Sequence, residues 1–174
     1  MSEMGNKNQR NLVLGIGEIS IREIDDDHQR PQSASRFDEW GEMAPEAREM
    51  NFLRWLIEST NQNGEITPVG DMSAHPNWYG PTISSKAMNI GISLVEEFRG
   101  KGIGAIAQRL LAEELHRMQF VRVEAQTDVE NIPEQKALKK AGFLLEGVAR
   151  KAQGRSDGIH DLQVWSHISE NQLA

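Results

Sequence analysis

Cysteine is missing from all 174 positions of the chain. Its absence removes disulfides, thiolate metal centres and a cysteine nucleophile together. No apolar run approaches the length of a bilayer span, so no membrane-crossing helix is expected. Positive charge is in deficit: 26 Asp and Glu face 19 Lys and Arg, a net charge of −7. That balance argues against nucleic-acid and anionic-membrane partners and suits a cationic substrate. The opening MSEMGNKNQRN has no apolar core of the kind a signal peptide carries, which makes a cytoplasmic location the expectation. No spacing of His, Asp and Glu suggests a metal site, and none is assigned.

What is present begins with length. A chain of 174 residues reads as a single domain, residues 1–174, able to bury roughly 70% of its unfolded surface. ISIREI, from Ile19, alternates apolar and polar residues as a half-buried strand does. Residues 25–49 turn polar and read as a loop with one or two short helices. Two apolar runs, from Phe52 and from Ile66, flank TNQNGE, whose Asn-Gly pair predicts a hairpin. PNWYGPTISS is a Pro/Gly loop, and AMNIGISLV, residues 87–95, is a further strand. From Gly102 onward Ile103, Ile106, Ala107, Leu110, Leu111, Leu115 and Met118 recur at helical spacing and mark one apolar face. FVRVEAQT alternates again. Asn131 suits a helix N-cap, Glu134 three residues on completes a capping-box pattern, and Gly142 suits the left-handed C-cap. FLLEGVAR and HDLQVWSHI read as two closing strands.

The stretch EEFRGKGIGAIAQRLLAEEL places Gly100, Gly102 and Gly104 around Arg99 and Lys101, between a strand and a helix. Backbone N–H groups at a positive helix end, with no side chain in the way, make a phosphate or pyrophosphate site. A Walker loop does not fit, because Lys101 is followed by Gly102 rather than Ser or Thr. A dinucleotide fingerprint starting at Gly100 puts Ala105 at its last glycine, has EEF rather than a strand core directly before it, and reaches an acidic residue at position 124 only after a whole further helix. The pattern that fits is [R/Q]-x-x-G-x-[G/A], as Arg99, Gly102 and Gly104.

With this turn in the order strand, turn, amphipathic helix, strand, Asn, helix and KAGF, the chain resembles the GNAT superfamily of acyl-CoA-dependent N-acyltransferases. GDMSAHP and the closing EGVAR and HDLQVWS are similar to its ribosomal-protein N-terminal acetyltransferase branch. The resemblance implies an α+β GNAT fold with a mixed, mainly antiparallel sheet of about six to seven strands and helices on both faces. It places the acetyl-CoA-binding core at residues 87–143 and a divergent N-terminal part at residues 1–50. It implies acetyl-CoA as co-substrate, no metal, and transfer of the acetyl group to a primary amine, a peptide N-terminus or a small cationic amine. Leu94, Val95, Arg99, Gly100, Lys101, Gly102, Ile103, Gly104 and Asn131 are the implied CoA-binding residues. Asn131 can equally be a plain N-cap.

Two departures from the family stand out. The helix position where many members carry a tyrosine acid is Leu138, and the only tyrosine, Tyr79, lies in a distant loop. Glu134 stands where this branch often has Ser, and its expected role is to cap the helix. The candidate base is Glu124, which shares a strand face with Arg122 and can instead be that residue's ion-pair partner. His75, four residues from Asp71 and so on the same strand face, is the second candidate. Trp78 and Tyr79 read either as an aromatic lip or as loop packing, and His160 and Asp161 as part of a hairpin turn. A non-catalytic acyl-CoA-binding module and a simple anion-binding protein stay open beside the enzyme reading. Family members often pair through their C-terminal strands, which leaves a homodimer open.

Overall fold

The computed structural model describes residues 13–45 and 51–170. Its strands are β1 (Val13–Ile16), β2 (Ile19–Ile24), β3 (Leu53–Thr60), β4 (Ile66–Trp78), β5 (Lys86–Leu94), β6 (Arg122–Asp128), β7 (Leu144–Arg155) and β8 (Gly158–Ile168). They form one sheet in the order β1-β2-β3-β4-β5-β6-β8-β7. β5 and β6 run parallel and every other neighbouring pair is antiparallel. The mixed sheet is as expected, but it has eight strands rather than six to seven. The addition is β1, four residues joined to β2 through a turn at Gly17 with φ 62°, too short for an alternating pattern to reveal.

The Asn-Gly hairpin forms. Asn61 Oδ1 accepts from the N–H groups of Asn63 and Glu65 at 2.9 and 3.0 Å, and Gly64 has φ 80°. Helix α1 (Ile103–Arg117) follows β5, and α2 (Ile132–Lys140) follows β6. Both lie on the same face of the sheet. Ile103, Ala107, Leu111 and Leu115 of α1 and Leu138 of α2 share one core with Ile21, Ile57, Met72, Ile90, Val123 and Ala125. The expectation of helices on both faces is therefore corrected for the described residues. No helix among them is long and apolar enough to cross a membrane.

The other face carries a strap instead, made by the polar segment after β2. Its contacts advance across the sheet in strand order. Asp26 accepts from Arg54 of β3 at 2.9 Å, Arg30 lies 3.5 Å from Asp71 of β4, and Ser33 donates to Leu94 O of β5 at 2.9 Å. Arg36 then reaches Glu130 beyond β6 at 3.1 Å, and Glu39 O accepts from Ser156 N in the β7–β8 turn at 2.9 Å. Phe37 and Trp40 sit 5.5 and 5.9 Å from the Arg155 guanidinium. Between β2 and residue 44, the described part of the strap is helical at Arg36–Asp38, as one short turn. A segment this polar cannot bury a helical face, so hydrogen bonds and ion pairs hold it extended.

Candidate active site

β5 and β6 pair through three positions: Met88 with Val123, Asn89 with Glu124 and Ile90 with Ala125. Beyond them the strands part. Residues 91–94 keep β4 on one side, and residues 126–128 keep β8 on theirs. The inner edges of both thus present backbone N–H and C=O groups without a strand partner in the middle of a sheet, where a ladder would normally run.

The glycine-rich turn stands at the open end of this gap. β5 passes through a short turn (Glu96–Phe98) into Arg99 and α1. Gly100 and Gly102 have φ of 72° and 83°, and a Cβ at either would meet nothing within 4 Å. Side chains are excluded here by backbone conformation, and the space in front of them is open. Gly102 is the N-cap of α1, with no side-chain cap, so the first-turn N–H groups are left facing that space. Gly104 is under no such backbone constraint, and a methyl group there would make ordinary contacts. Its Cβ would lie 3.6, 3.7 and 3.9 Å from Leu94, Ile92 and Ala137, where α1 approaches β5 and α2 closely.

Lys101 is exposed, its ammonium 5.1 Å from the Phe98 ring centre. Arg99 turns back from the open space. Its Nε donates to Leu94 O at 3.0 Å, and its Nη2 donates to Ser33 Oγ and Ala34 O, both at 2.8 Å. Nε thus ties the turn to the end of β5 and Nη2 ties it to the strap, a role no motif reading could show. Ser33→Ala removes a hydrogen bond at each of two groups. We expect it to lower the melting temperature by about 2–4 °C, the value of roughly 1 kcal/mol at this size. Calorimetry that finds no shift would mean that Ser33 does not fasten the strap.

On the face away from the helices, the row His75, Asn89, Glu124 crosses β4, β5 and β6, one pair inside the point of parting. Burial lowers the pKa of His75, so the imidazole is neutral at neutral pH. Its Nε2 has a long, 3.4 Å contact with Asn89 Nδ2, and the Phe52 ring packs edge-on at 5.3 Å. Asp71 sits two positions along the same face beyond Ser73, its carboxyl raised by burial against the lowering charge of Arg30.

Glu124 is fully buried and fully engaged. Asn77 Nδ2 donates to it at 2.9 Å, and Tyr79 OH and Arg122 Nε both donate to its other oxygen. Burial pushes this carboxyl up, but the hydrogen bonds from Tyr79, Asn77 and Arg122, with the charge of Arg122, hold it below its ordinary value. Arg122 continues to Glu146, whose carboxyl it holds at about 2, and Ser166 donates to the same carboxylate at 2.6 Å. A carboxylate so surrounded is a weak proton acceptor, and the ion pair with Arg122 is the geometry found.

Tyr79 is the residue the sequence reading left in a distant loop. β4 runs on through Trp78, so His75, Asn77 and Tyr79 alternate onto one face, and that period of two was the available clue. Trp78 is exposed, with Lys86 5.8 Å from its ring centre. His160 lies 2.8 Å from Asp128 and 2.8 Å from Asp157, and Asp161 accepts from Lys151 N at 2.7 Å. Both hold the closing hairpin. Asn131 caps α2, accepting from Glu134 N at 3.4 Å, but its own N–H goes to Asp128 O at 2.9 Å. The reciprocal half of the capping box is thus not made, and the Glu134 carboxyl does not cap the helix. Leu138 is fully buried in the core.

A family model described as an acetyltransferase (GNAT) domain matches residues 18–144, and the chain belongs to that family. Among solved structures it is similar to RimJ of Mycobacterium smegmatis in complex with a CoA disulfide. That match has 25% identity and a TM-score of 0.58, and it covers 74% of this chain and 58% of that one. The chain therefore spans less than two thirds of the length of RimJ. The ribosomal-protein-S5-alanine acetyltransferase of Vibrio fischeri aligns over 92% of this chain and 98% of its own, at 18% identity and a TM-score of 0.66. MccE, the microcin C7 self-immunity acetyltransferase, was solved with acetyl-CoA and AMP. It aligns at 24% identity over 71% of this chain and 63% of that one, with a TM-score of 0.56. The last two likenesses, at these identities, speak to the fold alone. Among curated proteins none matches significantly.

Proposed function

We propose that this protein transfers the acetyl group of acetyl-CoA to a primary amine by direct attack. The observation that carries the reading is the parting of β5 from β6 at a turn whose two left-handed glycines open onto an uncapped helix N-terminus. The pyrophosphate would take the N–H groups around Gly100 to Gly104, with Lys101 beside it. The pantetheine arm would pair with the edge of β5 that β6 leaves open from Gly91 onward, with Asn131 on the far side of the gap. It would run toward Leu94 and Val95, where Leu94 O is already taken by Ser33 and Arg99. Backbone N–H groups of that edge would polarise the thioester carbonyl. Direct transfer requires no metal.

The amine must be uncharged to attack, so a group on the acceptor side has to take its proton. Of the two candidates, Glu124 spends its lone pairs on three donors, whereas His75 is neutral with one weak contact. We therefore assign the base to His75. The net charge of −7 favours a cationic acceptor, either a peptide N-terminus or a small amine.

Calorimetric titration with acetyl-CoA, CoA and adenosine diphosphate tests the first half. Tight binding of the first two and weak binding of the third is expected, while equal weak binding of all three would reduce the turn to a generic anion site. Turnover on an amine panel separates an enzyme from a binding module, which would release no CoA. His75→Ala should lower kcat about 100-fold, within the usual range for a lost general base, with acetyl-CoA affinity nearly unchanged. Because burial depresses the imidazole pKa, the parent's rate should be at its plateau at pH 7. It should fall only as pH drops through a value below the ordinary 6.5. A variant that keeps the parent's rate would remove His75 from this role.

A further inference from the structure

The strap meets the candidate site at one carbonyl. Val95 N donates to Val69 O, beside β4, at 3.0 Å. In a trans peptide the carbonyl points the opposite way, so Leu94 O faces the gap that β6 leaves. Leu94 ends β5, which makes its oxygen the acceptor of that edge nearest the glycine turn. A carbonyl oxygen has lone pairs for two donors, and both are spent here. Ser33 Oγ donates at 2.9 Å and Arg99 Nε at 3.0 Å. Arg99 Nη2 closes the set by donating to Ser33 Oγ and Ala34 O. Around this point Pro31, Ser33, Ser35 and Phe37 are half-buried, while Gln32, Ala34 and Arg36 are exposed, as in an extended chain resting on the sheet by alternate residues. The ion pairs on either side of Ser33 are weak holds. Arg30 stays 3.5 Å from Asp71, and the Arg36 and Glu130 side chains are 66% and 65% exposed, a kind of pair worth little in water. Ser33 and Arg99 thus fasten this stretch to the edge of β5.

We propose that Ser33 is a latch on the acyl-CoA site: the arm of the incoming ligand takes Leu94 O from Ser33, and the strap between Pro31 and Arg36 lifts off the edge of β5. This rests on the acetyl-CoA reading above. An arm leaving a pyrophosphate held at the turn reaches Leu94 before the rest of the edge. To pair there as an added strand, an amide N–H of the arm has to donate to Leu94 O. That oxygen is full, so one of its donors must go. Arg99 is tethered, because it follows Leu94 in the same chain and ends the short turn after β5. Ser33 comes from a segment 61 residues away in sequence, and water can satisfy its hydroxyl once it leaves. The free protein therefore holds the edge closed, and the apparent affinity for acyl-CoA is reduced by the fraction of molecules in which the latch is open.

The test titrates full-length parent and Ser33→Ala with acetyl-CoA and with adenosine diphosphate, by calorimetry below both melting temperatures. The variant returns one lone pair to Leu94 O and should bind acetyl-CoA about 3- to 10-fold more tightly, the worth of one hydrogen bond. A residue that merely supported the site would do the reverse. Adenosine diphosphate has no arm, and Arg99 stays held by Leu94 O and Ala34 O in the variant, so its affinity should stay within about twofold. A second reading follows the strap itself. The chain has no cysteine, so Gln32→Cys at an exposed position carries a single environment-sensitive dye. Its emission should change on adding acetyl-CoA, with the midpoint found by calorimetry, and in the Ser33→Ala background it should start nearer the bound signal. Unchanged or weaker acetyl-CoA binding by Ser33→Ala, an equal gain for adenosine diphosphate, or a dye that does not respond while acetyl-CoA binds would each overturn the latch alone. Failure of the parent to bind acetyl-CoA would overturn the acetyl-CoA reading and the latch with it.

Discussion

Gly102→Val is expected to weaken acetyl-CoA binding at least 100-fold while the protein stays folded. Gly102 holds φ 83° with nothing within 4 Å of a Cβ. A residue with a Cβ pays roughly 1–2 kcal/mol in this conformation, and a β-branched one more. Relaxing that strain rotates the N–H groups at the start of α1 away from the pyrophosphate, and the isopropyl group fills the open space before them. The core, which Gly102 does not touch, should keep its melting temperature within a few degrees. Gly104 makes a contrast. Its Cβ neighbours lie at 3.6 Å and beyond, ordinary contact distances, so Gly104→Ala should bind acetyl-CoA nearly as the parent does. Gly104→Val, in turn, has to push α1 off β5. Isothermal titration checks each variant. If Gly102→Val bound like the parent, the anion would have to sit elsewhere.

The second large effect concerns Glu124. Glu124→Leu should lower the melting temperature by about 10 °C, since removing one side of a buried charged network costs about 3–5 kcal/mol. It leaves Asn77, Tyr79 and one guanidinium nitrogen of Arg122 facing an apolar side chain. The pH dependence has a definite sign. Burial raises this carboxyl and the donors more than offset it, so its folded pKa lies below the ordinary 4.5. The stability it contributes is thus present above that value and is lost as pH falls through the folded pKa. Glu124→Gln, which cannot ionise, should lie below the parent in stability at pH 7 and converge with it in acid. Thermal melts from pH 3 to 8 read this directly. An unchanged melting temperature with a 100-fold loss of kcat would instead make Glu124 the base.

The sequence alone determined what local chemistry specifies. Alternation placed the strands around Ile19 and Val123, and the Asn-Gly pair placed the β3–β4 turn. Helical spacing marked the buried face of α1, and the step from Arg99 through Gly102 to Gly104 located the turn where β5 leaves β6. Each depends on neighbours within a few residues, through backbone conformation or periodic burial. Only the tertiary structure decided the rest, because it depends on where distant segments meet. Tyr79 reaches Glu124 across 45 residues and Ser33 reaches Arg99 across 66, contacts with no local trace. They turn a candidate base into an anchored carboxylate and a phosphate-binding arginine into a clasp for the strap. Glu134 matched a capping box by spacing, yet the Asn131 N–H was already satisfied by Asp128 O. That left the carboxyl half-buried near Gln108 of α1, where the packing of two helices, and not the order of residues, raises its pKa.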